Sequence, residues 1–211
     1  MANYPNLTVV KHPLITHKLT MMRDKNTNSK NFRDLCDEVA TLMTFEVTRD
    51  WELTPIEIET PMEKTTGYTL KDTEITIVPI LRAGLGFLNG VMRVIPKAHV
   101  GHLGVSRDPK THLPVEYYCG LPKQTDSKTI IVDPMLATGG SFDAAITLLK
   151  DKGFKDISCM VLVAAPEGVE MLLKRHPDVM LYTASLDREL NENAYILPGL
   201  GDAGDRIFGT L

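Results

Sequence analysis

Three times along the middle of the chain, a short apolar run gives way to small or polar residues. Each time, a stretch follows with apolar side chains every three or four positions. Ile75, Ile77, Val78 and Ile80 form the first run. Phe87, Leu88, Val91, Met92 and Ile95 then share one face of a predicted helix. Ile130, Ile131 and Val132 lead to a second helix, with Phe142, Ala145, Ile146 and Leu149 on its apolar face. The run over 157–165 leads to a third helix over 167–175, with Val169, Leu172 and Leu173 inward. Further strands are predicted over 98–105 and 179–185. Strand and helix alternating from 74 to 185 predict an α/β fold whose central parallel sheet is flanked by helices on both faces.

The stretch before residue 74 is patterned differently. Residues 1–13 hold Pro5 and Pro13 and read as an extended arm, with a short helix behind it that includes Lys18, Leu19, Met22 and Arg23. The strongest amphipathic signal lies over 29–49. Phe32, Leu35, Cys36, Val39, Leu42 and Met43 make its stripe, and Ser29 or Asn31 is placed to cap it. Residues 56–60 alternate and predict a strand with one wet face. Residues 63–72, polar and holding Gly67, read as a loop. Between the core strands, 106–122 is rich in polar and turn residues, with Val115, Glu116, Tyr117 and Tyr118 returning toward Gly120, as in a β-hairpin flap. No repeat or linker interrupts the 211 residues. They predict one domain: an N-terminal arm and helices over 1–50, a core over 74–185 and a C-terminal segment over 186–211.

Composition narrows the class. Hydrophobic residues make up 43% and charged ones 24%, a soluble globular balance with enough chain for a substantial core. The net charge is -4 with no cluster of Lys or Arg, which argues against nucleic acid as a partner. No apolar run is long enough to cross a membrane, and residues 1–11 lack the apolar centre of a signal peptide. Cys36, Cys119 and Cys159 are odd in number and far apart, which predicts reduced thiols and a cytoplasmic protein. His99 and His102, three apart on a predicted strand, fall on opposite faces and make a poor metal pair.

Candidate chemistry concentrates in three loops. Ala137, Thr138, Gly139, Gly140 and Ser141 are small residues between a strand and a helix. Their N–H groups and the helix dipole suit a phosphate monoester. Asp133, an anion beside that site, suits ribose hydroxyls instead. The plainer reading is a turn with Ser141 as helix cap. Arg82 stands at the carboxyl end of its strand, where open parallel sheets bind ligands and where a guanidinium can grip pyrophosphate. A structural ion pair is the alternative. Residues 195–206 hold Pro198, Gly199, Gly201 and Gly204, a shaped backbone able to present peptide groups to a flat ring. Gly84, Gly86 and Gly90 miss the dinucleotide-binding spacing by one residue. Gly199, Gly201 and Gly204 meet it with only seven residues left, too few for the helix and strand it needs.

Together these strings resemble a known family. The run from Asp133 through Pro134, Met135 and Leu136 to Ser141 resembles the phosphoribosyl-pyrophosphate (PRPP) motif of type I phosphoribosyltransferases, and in particular that of uracil phosphoribosyltransferases. That family usually has two adjacent acids where this chain has Asp133 and Pro134. Residues 79–84 resemble its pyrophosphate loop, and 195–206 its uracil-binding segment. The three motifs occur in the family's order, and the resemblance spans most of the chain, from Lys11 to Thr210.

The resemblance implies a type I phosphoribosyltransferase fold with a flap and a C-terminal base-binding loop. It implies uracil and PRPP as substrates, UMP and pyrophosphate as products, and Mg²⁺ as cofactor, held through PRPP and water. Arg82, Arg107, Asp133, residues 134–141 and Asp202 would then contact PRPP. Tyr195, Ile196, Gly201, Asp202 and Ala203 would contact uracil, largely through main-chain groups. Arg82 and Asp202 are the candidate catalytic residues, Asp202 for the loss of the uracil N1 proton. Relatives also imply a homodimer or homotetramer and, in some cases, GTP as activator. A regulator that only senses PRPP or UMP, or a transferase for another base, is the competing reading.

Overall fold

The computed structural model describes residues 4–107 and 114–210. In chain order the elements are β1 (Leu7–Val9), α1 (Pro13–Arg23), α2 (Ser29–Val47), β2 (Leu53–Glu59), β3 (Lys64–Leu70), β4 (Ile75–Leu81) and α3 (Leu85–Val94). There follow β5 (His99–Val100), β6 (His102–Arg107), β7 (Pro114–Gly120), β8 (Lys128–Val132), β9 (Met135–Leu136), α4 (Gly140–Asp151) and β10 (Asp156–Ala164). The chain ends through α5 (Pro166–Arg175), β11 (Met180–Leu186), β12 (Glu189–Leu190), β13 (Ile196–Leu197) and α6 (Ala203–Phe208).

The central sheet runs β1-β11-β10-β8-β4-β6-β7, all parallel except β7. Helices pack on both faces, and the pleat sorts the strand residues between them. Ile75, Ile77, Ile130 and Val132 face a core shared with α1, α2, α3 and α6. Val78, Ile80, Ile131 and Val161 face a second core with α4 and α5. The predicted α/β architecture is therefore present. After β4 the chain moves to one side of the sheet, toward β6. After β8 it moves to the other, toward β10. The crevice between the carboxyl ends of β4 and β8 is thus the topological switch point, where such sheets bind ligands.

Five expectations need correction. The N-terminal arm is not merely extended: Leu7, Thr8 and Val9 pair with 181–183 as an edge strand. Neither Ser29 nor Asn31 caps α2. Ser29 is already helical, and the Asn28 side chain accepts the Asn31 N–H at 2.9 Å. Residues 64–70 are no loop but a strand, joined to β2 in a hairpin. Thr65, Thr66, Tyr68 and Thr69 suit a strand, and Gly67 does not break it. The predicted strand at 56–60 therefore has two wet faces, and every residue of β2 is exposed. Ile56, Ile58, Met62 and Tyr68 stand open on this hairpin. The strand over 98–105 divides at Gly101, and both halves pair with β4. The flap is present as β6 against antiparallel β7, and its tip at 108–113 lies outside the described residues. No helix among the described residues is long and apolar enough to cross a membrane.

Candidate active site

The carboxyl end of β8 builds the first wall. Asp133 N–H reaches the Met160 carbonyl, and Pro134 accepts from Leu162 and Val163, so the ladder with β10 resumes at β9. That pins the backbone on both sides of Asp133. Its carboxylate is half-buried and accepts the Met135 N–H at 3.0 Å. Burial pushes this carboxyl up to about 7, against the pull of that N–H, and nearby Asp202 pushes the same way.

Next along the chain, residues 135–142 enclose a small cradle of about 80 Å³. Gly139 precedes α4 with φ 88°, a left-handed turn that suits glycine. Ser141 therefore does not cap the helix: α4 starts at Gly140, and no side chain caps it. The N–H groups ahead of Asp143 have no acceptor within the helix, and the positive end of a 12-residue helix lies with them.

β4 builds the opposite wall. The Leu81–Arg82 peptide is cis, and Arg82 follows directly at the strand end. Its guanidinium lies 3.7 Å from Asp205 and 5.7 Å over the Phe208 ring, yet the side chain remains 59% exposed. A long, water-exposed ion pair leaves it available to an anion. The third wall is the start of α6. Asp202 caps this helix by accepting the Asp205 N–H at 3.0 Å and is itself exposed.

Arg82, Ala83, Asp133, Met135, Asp202, Ala203 and Gly204 line one cleft of about 250 Å³. Residues from three loops, spread over about 120 positions of sequence, thus meet at the switch point, and Met135 also borders the small cradle. Larger grooves of about 340 and 400 Å³ lie at the other end of the sheet, around Lys128 and Asp156 where β8 and β10 begin. Neither has a loop at the carboxyl end of a parallel core strand or a helix N-terminus, so the smaller cleft has the better chemistry. Tyr195, Ile196 and Gly201 do not line it. Tyr195 is exposed, the Ile196 side chain is 3% exposed in the core, and Gly201 turns with φ 81° just before Asp202. Arg107 ends β6 at the same end of the sheet, and its side chain lies outside the described residues.

The family described as uracil phosphoribosyltransferase matches residues 9–210. This chain belongs to that family. A uracil phosphoribosyltransferase from Finegoldia magna is 60% identical over 97% of this chain and 98% of its own length. One from Clostridium tetani is 57% identical over the same shares. A solved protein from Aquifex aeolicus is 35% identical and superposes with a TM-score of 0.91 over 96% of this chain and 97% of its own. A purine phosphoribosyltransferase from Pyrococcus horikoshii, 16% identical over 72% of this chain and 85% of its own, reaches 0.50 and shares the fold alone.

Membership of the uracil phosphoribosyltransferase family directs attention to what shapes the C-terminal loop, and here the structure adds residues that the sequence did not reveal. Arg23 donates to both oxygens of Asp187, at 2.8 and 2.6 Å, and to the Gly199 carbonyl at 2.6 Å. Asp187 also accepts from Ser185 and from the Gly199 N–H at 2.9 Å. Arg206 stacks on Phe32 at 4.4 Å and donates to the carbonyls of Met22, Asp24 and Leu200. These two arginines bind the 197–206 segment to α1 and α2. The sequence offered only an acid after a strand and basic residues near a helix end.

Burial alone would raise the Asp187 carboxyl. Arg23, Ser185 and the Gly199 N–H overcome that and hold it below the ordinary carboxylate value. Its contribution is therefore present above the unfolded value of 3.8 and is lost as pH falls through the lower folded value. Asp187→Asn is expected to cost about 3 kcal/mol at pH 7, since Arg23 loses its paired charge in a dry setting. Calorimetry should show the gap to wild type closing below about pH 4.

Proposed function

We propose that this chain transfers the phosphoribosyl group of PRPP to N1 of uracil, giving UMP and pyrophosphate. The convergence of Arg82, Asp133 and Asp202 in one cleft beside the 137–141 cradle carries the proposal. The cradle takes the 5′-phosphate on the first-turn N–H groups of α4. Asp133 accepts hydrogen bonds from the ribose hydroxyls. It does so as the carboxylate, so substrate hydroxyls favour the charged form that burial opposes. Arg82 neutralises the pyrophosphate, and Arg107 joins it from the flap.

The bond from the anomeric carbon to pyrophosphate breaks, and one from that carbon to uracil N1 forms. The electron pair leaves with pyrophosphate, and the N1 proton passes toward Asp202, directly or through water. Holding both reactants in line and facing the leaving charge with Arg82 supply the rate. Mg²⁺ would supply further charge neutralisation on the pyrophosphate. Its ligands would come from PRPP and water, as the resemblance implies. No group of three or more metal-binding side chains stands among the described residues. A main-chain carbonyl of the 196–203 segment accepts uracil N3–H. Cytosine has an acceptor there, so two acceptors would face each other.

Purified protein, Mg²⁺ and PRPP mixed with labelled uracil should yield labelled UMP, and labelled cytosine, hypoxanthine and adenine should yield nothing. Transfer to a purine instead would overturn the reading of the 195–206 loop. PRPP binding without any transfer would make the chain a sensor. The exposed β2–β3 hairpin, with its open apolar side chains, supports self-association. Light scattering is then expected to give two or four times the 23.4 kDa chain mass, and a monomer mass would refute it.

A further inference from the structure

α5 packs directly against the phosphate cradle. Its first turn presses on the loop. A Cβ placed on Gly168 would stand 2.2 Å from the Ala137 carbonyl oxygen and 3.3 Å from the Gly139 nitrogen. The far end of α5 grips the same segment again. Oδ1 of Asp143, in the first turn of α4, accepts from Nε2 of His176 at 2.9 Å and is ion-paired with Arg175, whose Nε lies 2.9 Å away. The Asp143 N–H in turn donates to the Gly139 carbonyl at 2.9 Å, so this residue closes the turn that shapes the cradle.

The tautomer of His176 follows from its neighbours. Lys150 Nζ lies 3.3 Å from Nδ1, and an ammonium only donates, so Nδ1 is the acceptor and Nε2 carries the hydrogen given to Asp143. Lys150 is held from its other side by Asp178 at 2.7 Å. The line Asp178, Lys150, His176, Asp143 thus fixes the rotation of the α4 first turn against α5. Asp143 and His176 are both buried. The transfer chemistry described above uses neither.

We propose that His176, acting through Asp143, is a positioning residue for PRPP: it aims the N–H groups of residues 137–141 at the 5′-phosphate. The inference rests on the proposed function. Its content beyond that is that this buried pair governs phosphate affinity and not base affinity. A plain stabilising pair would lower the melting temperature and leave affinities alone. A misaligned cradle weakens each N–H contact to the phosphate.

The test uses the full chain well below its melting temperature, with calorimetric binding of Mg²⁺-PRPP and steady-state kinetics. His176→Leu is expected to raise the PRPP Kd and KM about tenfold while uracil KM and kcat stay within about twofold. His176→Gln, which keeps a donor near the place of Nε2, should recover PRPP affinity to within about threefold of wild type. Lys150→Met, outside the core, should give about a threefold rise and covers the case in which His176→Leu does not fold. A folded His176→Leu with unchanged PRPP Kd overturns the inference, as does a His176→Gln as weak as His176→Leu. Wild-type protein that fails to bind PRPP overturns the proposed function itself. Wild-type binding with unmoved variants overturns only the role of His176.

Discussion

Asp133→Asn is expected to lose about 10²–10³-fold in kcat/KM and yet to melt at a higher temperature than wild type at pH 8. The two effects share one cause. The carboxylate is held where burial opposes its charge, with Asp202 adding repulsion, and its folded value stands near 7 against 3.8 unfolded. The folded state therefore binds this proton more tightly than the unfolded chain does. That contribution is complete below 3.8 and is lost as pH rises through about 7. Asn carries no such penalty. The variant should be near wild type in stability at pH 4, and more stable by roughly 1–3 kcal/mol at pH 8. In a chain of this size that is about 2–4 °C per kcal/mol. Activity falls because the amide accepts weaker hydrogen bonds from ribose and offers no charge to the cationic sugar. Melting curves at the two pH values and kinetics on the same preparation decide the matter. A variant no more stable at pH 8 than at pH 4, relative to wild type, would contradict the electrostatic account.

Gly168→Ala is expected to damage both stability and binding although it touches no substrate. In an ordinary helix, replacing Gly by Ala stabilises by roughly 0.5–1 kcal/mol. Here the added carbon would meet the Ala137 backbone at 2.2 Å, and backbone cannot swing aside as a side-chain tip can. Either α5 retreats, opening the core around Val169 and Leu172, or the cradle moves into the space meant for phosphate. We expect a loss of about 2–3 kcal/mol in stability and about a 10²-fold weaker Kd for UMP. Denaturant melts and calorimetric titration with UMP measure both. A stabilised variant with unchanged UMP affinity would show that the contact is not as close as described.

The sequence displayed the core of this fold because its signals there are local. The apolar runs at 75–80, 130–132 and 157–164 are buried on both faces and need no partner to be noticed. The small cavity at 135–142 is equally local, since the small residues that turn between β9 and α4 are contiguous in sequence. The hairpin over 53–70 is only half legible: alternation over 56–60 announces β2, while β3, mostly polar and exposed, shows none. β1 escaped notice because its pairing partners lie at 181–183. The Arg23–Asp187 contact spans 164 residues, and no local pattern announces a bond of that range. Gly168 reads in sequence as an indifferent early-helix glycine. Only the approach of Ala137 gives it a purpose. Of the uracil-contacting residues implied by resemblance, Asp202 and Ala203 reach the cleft, while Tyr195 and Ile196 stand off it.

The most direct test of the account is a crystal structure of the chain with UMP. The 5′-phosphate should lie against the N–H groups of 137–141, the ribose hydroxyls on Asp133, and the base against the main chain of 196–203. UMP seated instead in the groove around Lys128 and Asp156, at the opposite end of the sheet, would contradict it.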